Sequence, residues 1–235
     1  MESVMQVRTY LDDTYAEQTE TRVIALGHRD GLPWAAVEHC LFHPQGGGQP
    51  ADRGWLEETE VVPVRDEQSG LIVAVPASGE AGWPEFTDGQ PVRARIDPVT
   101  RMTHAALHTA GHLVEAAGRA QGWELAGNNH FPGQARVEFT APQPDARLAE
   151  PEGREEVLAE LRKTVAAAID EDLPVTAETD EQGLRVVSLG ALHSAPCGGT
   201  HVRSLGDLSD VVLSALKVKR GRIRVSYSAA HGPRR

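Results

Sequence analysis

The chain has 235 residues, 40% of them apolar and 24% charged, with a net charge of −11. That length suits one large domain or two small ones, and no apolar run reaches the roughly 18 residues of a membrane span. The start, MESVMQVRTYLDD, has no basic stretch leading into an apolar one, and two cysteines make no secreted disulfide framework, so a soluble cytoplasmic protein is expected. The charge is unevenly spread: residues 1–97 carry −10, residues 98–202 carry −7 and residues 203–235 carry +6. Overall acidity therefore does not exclude a polyanionic partner at the C-terminal end.

Residues 1–97 read as β-rich. The short apolar runs TRVIALG, WAAVEHCLF, GLIVAV and QPVRARI are broken by Gly, Pro and Asp, a spacing that predicts a small barrel or sandwich. A helix is predicted next, from Asp97 as N-cap and Pro98 as first helical residue to Arg119 or Ala120. ARVEF (135–139) reads as a strand. LAEPEGREEVLAELRKTVAAAIDEDLP reads as a second amphipathic helix, opened near Pro151 and stopped before Pro174. PVTAE, LRVVSL, VVLSALKVK and RIRVSYSA read as further strands. Helices and strands without regular alternation predict an α+β fold with an antiparallel sheet. The expected domain boundary lies near Asp97, giving a β-rich domain at 1–97 and a second domain at 98–235.

The stretch SAPCGGTHV sets Cys197 and His201 four residues apart with only Gly, Gly and Thr between them. Glycines offer nothing to pack, so the two side chains are read as aimed at one shared object. Cys40, in VEHCLF, reads as an ordinary buried strand residue. On the first helix, HAALHTAGH places His104, His108 and His112 at successive i, i+4 positions, hence on one face. Two such histidines with Cys197 and His201 give three nitrogens and one sulfur, a set that suits Zn²⁺. Spacing alone leaves the helical pair open, His104 with His108 or His108 with His112.

HTAGH (108–112) and CGGTH (197–201) resemble the HxxxH…CxxxH signature of the alanyl-tRNA synthetase editing domain and of the free-standing AlaX-type proteins related to it. FHPQGGGQPADRG (42–54) resembles the glycine-rich segment of the synthetase and of the longer AlaX forms. NNHFPGQARVEF (128–139) resembles the segment that follows the metal-binding helix. The four stretches stand in the family's order and span residues 42–201, and the chain shows neither the length nor the ATP-binding parts of a synthetase.

The resemblance implies one Zn²⁺ per chain on His108, His112, Cys197 and His201, with His104 one turn outside, on the helix surface or beside the ligands. It implies that residues 98–235 are an editing domain that hydrolyses the ester of serine, and in some members glycine, on mischarged alanine tRNA. The task is physical: an apolar pocket cannot strongly reject an isostere that merely adds a hydroxyl, whereas a second, hydrolytic site can read that hydroxyl. Thr109 matches the family's threonine implicated in recognising it. Gly198 and Gly199 would let the substrate approach the metal or only shape the turn. Gln49, at the end of the glycine-rich segment 46–49, would reach polar substrate groups or sit in a flexible hairpin. Gly111 stands where the family has a larger residue, which would widen the pocket or permit close packing.

The basic stretch KVKRGRIRV places Lys217, Lys219, Arg220, Arg222 and Arg224 close together. In strand geometry the two lysines share a face, as do the three arginines. They are expected to contact tRNA phosphates; a solvated edge strand is the alternative. Two rivals to the whole reading are a related editing hydrolase for another mischarged tRNA, such as serine-charged threonine tRNA, and a non-catalytic zinc module that binds RNA.

Overall fold

The structure is a computed structural model and describes residues 5–80, 82–143 and 145–232; the first four residues of the N-terminal stretch read above lie outside them. A short helix α1 (Thr9–Asp12) comes first. Six strands follow: β1 (Gln18–Arg29), β2 (Leu32–Val37), β3 (Gly54–Leu56), β4 (Thr59–Arg65), β5 (Ile72–Pro76) and β6 (Pro91–Ile96). Next come α2 (Pro98–Ala120), β7 (Glu124–Asn129), β8 (Arg136–Thr140) and α3 (Pro151–Asp170). The chain ends with β9 (Val175–Thr179), β10 (Arg185–Leu189), β11 (His193–Pro196), β12 (Leu208–Lys219) and β13 (Arg222–His231). This is an α+β fold.

The described residues separate into two compact units: those of Met1–Gly46 with Pro50–Arg101, and those of Gly47–Gln49 with Met102–Arg235. In the first unit the six strands close into a barrel in the order β1-β2-β5-β4-β3-β6. Alternating residues point inward, among them Val23, Ala35, Val37, Ile72, Ala74, Val92, Ala94 and Ile96, and form its core. Closure leaves no open sheet edge. A buried ion pair joins Arg101 to Asp52, each side chain 1% exposed. Arg101 also donates to the carbonyls of Thr14 and Leu41, and Asp52 accepts the His43 N–H at 2.6 Å. Every charge placed there is thus hydrogen-bonded, as burial demands. Cys40 is fully buried, as the sequence predicts, but it lies in the segment after β2 rather than on a strand, where its N–H donates to the Val7 carbonyl at 2.7 Å.

The helix α2 begins where the sequence predicts. Asp97 Oδ1 accepts the N–H groups of Val99 at 3.0 Å and Thr100 at 3.2 Å, capping its first turn. From Met102 onward the helix lies in the second unit, and it is buried almost all round. Leu113, Val114 and Ala117 are fully buried, and polar residues are buried beside them: His104, His108, Thr109, His112 and Glu115. Polar groups held that deep need partners, and those of His108, Thr109, His112 and Glu115 make up the candidate centre. Two antiparallel sheets accompany the helix: four strands in the order β12-β13-β8-β7, and three in the order β11-β10-β9. Phe139 of β8 packs on α2 at Gly118, where a Cβ would stand 2.5 Å from its ring, and Trp123 tilts against Phe139 at 5.4 Å. Arg162 of α3 donates to the Leu213 carbonyl of β12 at 2.9 Å. Among the described residues no helix is long and apolar enough to cross a membrane.

Candidate metal centre

Two pieces of the second unit converge. The helix α2 supplies His108 and His112; the loop after β11 supplies Cys197 and His201. One potential ligand atom from each of the four lies within 4.8 Å of all the others. The loop is held by Arg185 on β10. Its guanidinium donates to the carbonyls of Cys197 at 2.8 Å and Gly199 at 3.1 Å, while the Cys197 N–H donates to the Arg185 carbonyl at 3.0 Å.

Each histidine of the set has its Nδ1 engaged. His108 Nδ1 stands 2.7 Å from Gln49 Oε1. That oxygen also accepts the Thr200 N–H at 3.0 Å, and Gln49 Nε2 donates to Thr200 Oγ1 at 2.8 Å. An amide oxygen only accepts, so His108 carries its hydrogen on Nδ1 and presents a lone pair at Nε2. His201 Nδ1 meets Thr109 Oγ1 at 3.1 Å, and the same oxygen accepts the Val202 N–H at 3.2 Å. His112 Nδ1 meets His193 Nε2 at 3.2 Å, with Glu115 Oε2 at 3.8 Å from both rings. Glu115 is in turn paired with Arg119 at 2.8 Å.

The Nε2 atoms turn the other way. Cys197 Sγ lies 3.5 Å from His108 Nε2 and 3.2 Å from His201 Nε2. His112 Nε2 is buried with no hydrogen-bond partner among the described residues. A buried orphan nitrogen beside two imidazoles and a thiol fits a cation better than it fits protein alone. Burial pushes the His112 imidazole down to about 3, with repulsion from His193 and His130 adding to it. It therefore stays neutral near pH 7, as a metal ligand must. Burial raises the Cys197 thiol, while the Gly199 N–H and the Arg185 guanidinium pull it back. No carboxylate belongs to the four-residue set.

The other residues singled out by sequence fall as follows. Thr109 and Gln49 are fully buried at 0% exposure, and both are engaged with the set rather than free in a hairpin. Gly199 lies against His108, where a Cβ would overlap the ring; Gly198 is exposed with open space around it. His104 is 6% exposed, so it does not lie on the helix surface. Gly111 serves close packing: a Cβ there would stand 2.5 Å from His130 Nδ1 and 2.6 Å from Tyr227 Oη. His130 stacks on His108 at 4.5 Å, and burial pushes its imidazole down to about 4. Its Nδ1 meets Tyr227 Oη at 2.6 Å, and the tyrosine donates to the Leu107 carbonyl at 2.9 Å.

Sequence reasoning missed Arg185, His193 and the engagement of Glu115. For His193 a signal existed, since HSAPCGGTH repeats the spacing of four on both sides of Cys197. Glu115 sits three residues after His112, on the same side of the helix. Arg185 had no local signal. Of the basic residues, Lys217, Lys219, Arg222 and Arg224 lie on strands and are exposed, whereas Arg220 sits in the turn between them.

No family profile matches the chain. Individual proteins do. The alanyl-tRNA editing protein AlaX-M of Pyrococcus horikoshii is 26% identical over 229 residues, which is 94% of this chain and 96% of that protein. AlaX-L of the same organism is 23% identical over 97% of this chain and 59% of its own length. The alanine–tRNA ligase of Korarchaeum cryptofilum is 30% identical over 94% of this chain, which spans 26% of the ligase. With the HxxxH and CxxxH residues gathered at one point, these similarities make the chain a homologue of the AlaX-type alanyl-tRNA editing proteins and of one region of alanine–tRNA ligase.

Proposed function

We propose that the chain is a zinc-dependent deacylase that hydrolyses the aminoacyl ester of mischarged alanine tRNA, serine above all and glycine second. The observation that carries this reading is the three imidazoles whose Nδ1 atoms are engaged by Gln49, His193 and Thr109, beside the Cys197 thiol. The donor set would hold one Zn²⁺ on His108, His112, Cys197 and His201. Zinc there would supply Lewis acidity, polarising the ester carbonyl and making water acidic enough to attack near neutral pH.

The chain's own residues do the rest. Gln49 keeps the proton of His108 on Nδ1, and when His193 carries its hydrogen on Nδ1 its Nε2 accepts and does the same for His112. When His201 carries its hydrogen on Nδ1, Thr109 Oγ1 receives two N–H bonds, from His201 and from Val202. Its own hydrogen is then left to donate, and a serine hydroxyl is an acceptor of the right kind. Alanine offers no such atom, which is how a polar partner discriminates where an apolar wall does not. In this reading residues 98–235 form the deacylase domain and residues 1–97 the accompanying barrel domain.

Alanine tRNA charged with serine, glycine or alanine, incubated with the protein with and without a chelator, tests the proposal. Seryl ester should be lost fastest, alanyl ester spared, and the chelator should stop the loss. No turnover of any of the three would leave the non-catalytic zinc module. Faster turnover of serine-charged threonine tRNA would move the substrate to the other editing class.

A further inference from the structure

The β12–β13 hairpin carries charge that its fold does not need. Its register sets Lys217 opposite Arg224 and Lys219 opposite Arg222. Two like-charge pairs thus lie directly across from each other on one face, where such pairs weaken a sheet. All four side chains are exposed, while Leu216, Ile223 and Val225 of the same strands are buried. The turn adds a fifth cation. Arg220 has φ 50° and Gly221 φ 74°, the left-handed pair of a two-residue hairpin turn. Asn, Asp or Gly suits the first of those positions, and arginine there is uncommon.

The charge is poorly offset. Glu138 on β8 pairs with Arg224 at 2.8 Å but is shared with Arg136 at 3.1 Å. Among the described residues Lys217, Lys219 and Arg220 form no ion pair. Arg154 of α3 joins them, its guanidinium fixed on the carbonyls of Leu148 at 2.7 Å and Ala149 at 2.6 Å. These six cations line an open depression of about 590 Å³ in which Glu138 is the lone carboxylate. Lysines that protect a sheet edge would account for β12, which is an edge strand. They do not account for Arg222 and Arg224, because β13 is paired on both sides.

We infer that this face binds the sugar–phosphate backbone of RNA, seating phosphates among the two rows of cations. The identity of the polyanion rests on the proposed activity; the cationic face does not. Binding of uncharged alanine tRNA transcript, which needs no turnover, is measured on the 235-residue chain across salt from about 50 to 200 mM. The informative variant is K217E/K219E, which turns both like-charge pairs into opposite-charge pairs. Its melting temperature should hold or rise, so lost binding would not reflect lost folding. Reversing the two lysines and tying Arg222 and Arg224 to the new glutamates removes four phosphate contacts, which should flatten the salt slope by about 3 to 4 and weaken binding on the order of 100-fold near physiological salt. Unchanged affinity and slope would overturn the inference and leave the deacylase reading standing. Absence of deacylation by the wild-type protein, with the binding loss intact, would do the reverse. Unchanged RNA binding with lost self-association in sedimentation would also overturn it, assigning the face to a second copy of the chain.

Discussion

Gln49→Leu probes the support beneath the candidate centre. Gln49 is fully buried and makes three hydrogen bonds, at 2.7, 2.8 and 3.0 Å. Leucine is of similar size and has no polar atom. It leaves the His108 Nδ1–H and the Thr200 N–H, both buried, without an acceptor. Each such orphan costs about 1–3 kcal/mol, and burial of the leucine offsets about 2 kcal/mol. A net destabilisation of about 2 kcal/mol is therefore expected in the metal-free protein. Loss of a group that orients a ligand should lower zinc affinity by about 10–100-fold. Gln49→Glu keeps an acceptor for both N–H groups and should retain most of that affinity. Competition for Zn²⁺ against a chromogenic chelator measures the affinity, and imidazole ¹⁵N shifts of the metal-free protein report the His108 tautomer. A leucine variant with wild-type affinity and a wild-type tautomer would refute the reasoning.

Thr109→Val keeps the shape but orphans the buried Val202 N–H and removes the oxygen beside His201; the ratio of seryl to alanyl deacylation should fall by about 1–3 kcal/mol in ΔΔG‡, and Thr109→Ser should restore it. An unchanged ratio in the valine variant would place serine recognition elsewhere. Gly111→Ala gains about 1 kcal/mol of helix propensity but drives a methyl into His130 and Tyr227, so overpacking of about 1–3 kcal/mol should win; a higher melting temperature would show that those rings move freely. In the metal-free protein the His112 and His130 imidazoles remain neutral down to about 3 and about 4. The unfolded chain protonates both near 6.5, so it binds more protons and stability should fall as pH drops below that value. The expected slope is about 1.4 kcal/mol per pH unit for each ring. Urea titrations between about pH 7 and pH 5 should follow it, and a flat profile would show that these rings are not buried as neutral groups.

The parts of the fold that the sequence reveals are those set by local chemistry. Asp97 and Pro98 mark the start of α2, and the i, i+4 histidines share a face because a helix turns every 3.6 residues. Strands built from β-branched runs, such as RVVSL and RIRVSY, are equally legible. Those that were missed have weak local signals. The strand β7 reads ELAGNN, with a glycine and two asparagines, and it forms because β8 pairs with it. In β4 a proline interrupts TEVVPVR, and β3 has only three residues. The four candidate ligands were legible from spacing and resemblance together. Their supports were not, because Gln49 lies 59 residues from His108 in sequence and His193 lies 81 from His112. Hydrogen bonds across such distances leave no periodic trace. Gly111 shows the same limit, since its meaning depends on His130 and Tyr227 arriving from other elements.

One titration tests the central claim most directly. Metal-free protein is given Zn²⁺ in steps, and at each step bound zinc and the rate of seryl ester loss from alanine tRNA are read on the same sample. The account predicts a rate that rises in proportion to bound zinc and stops at one ion per chain, with a Cys197→Ala, His201→Ala double variant binding no stoichiometric zinc and remaining inactive. Full activity before zinc is added, or stoichiometric zinc retained by the double variant, would contradict it.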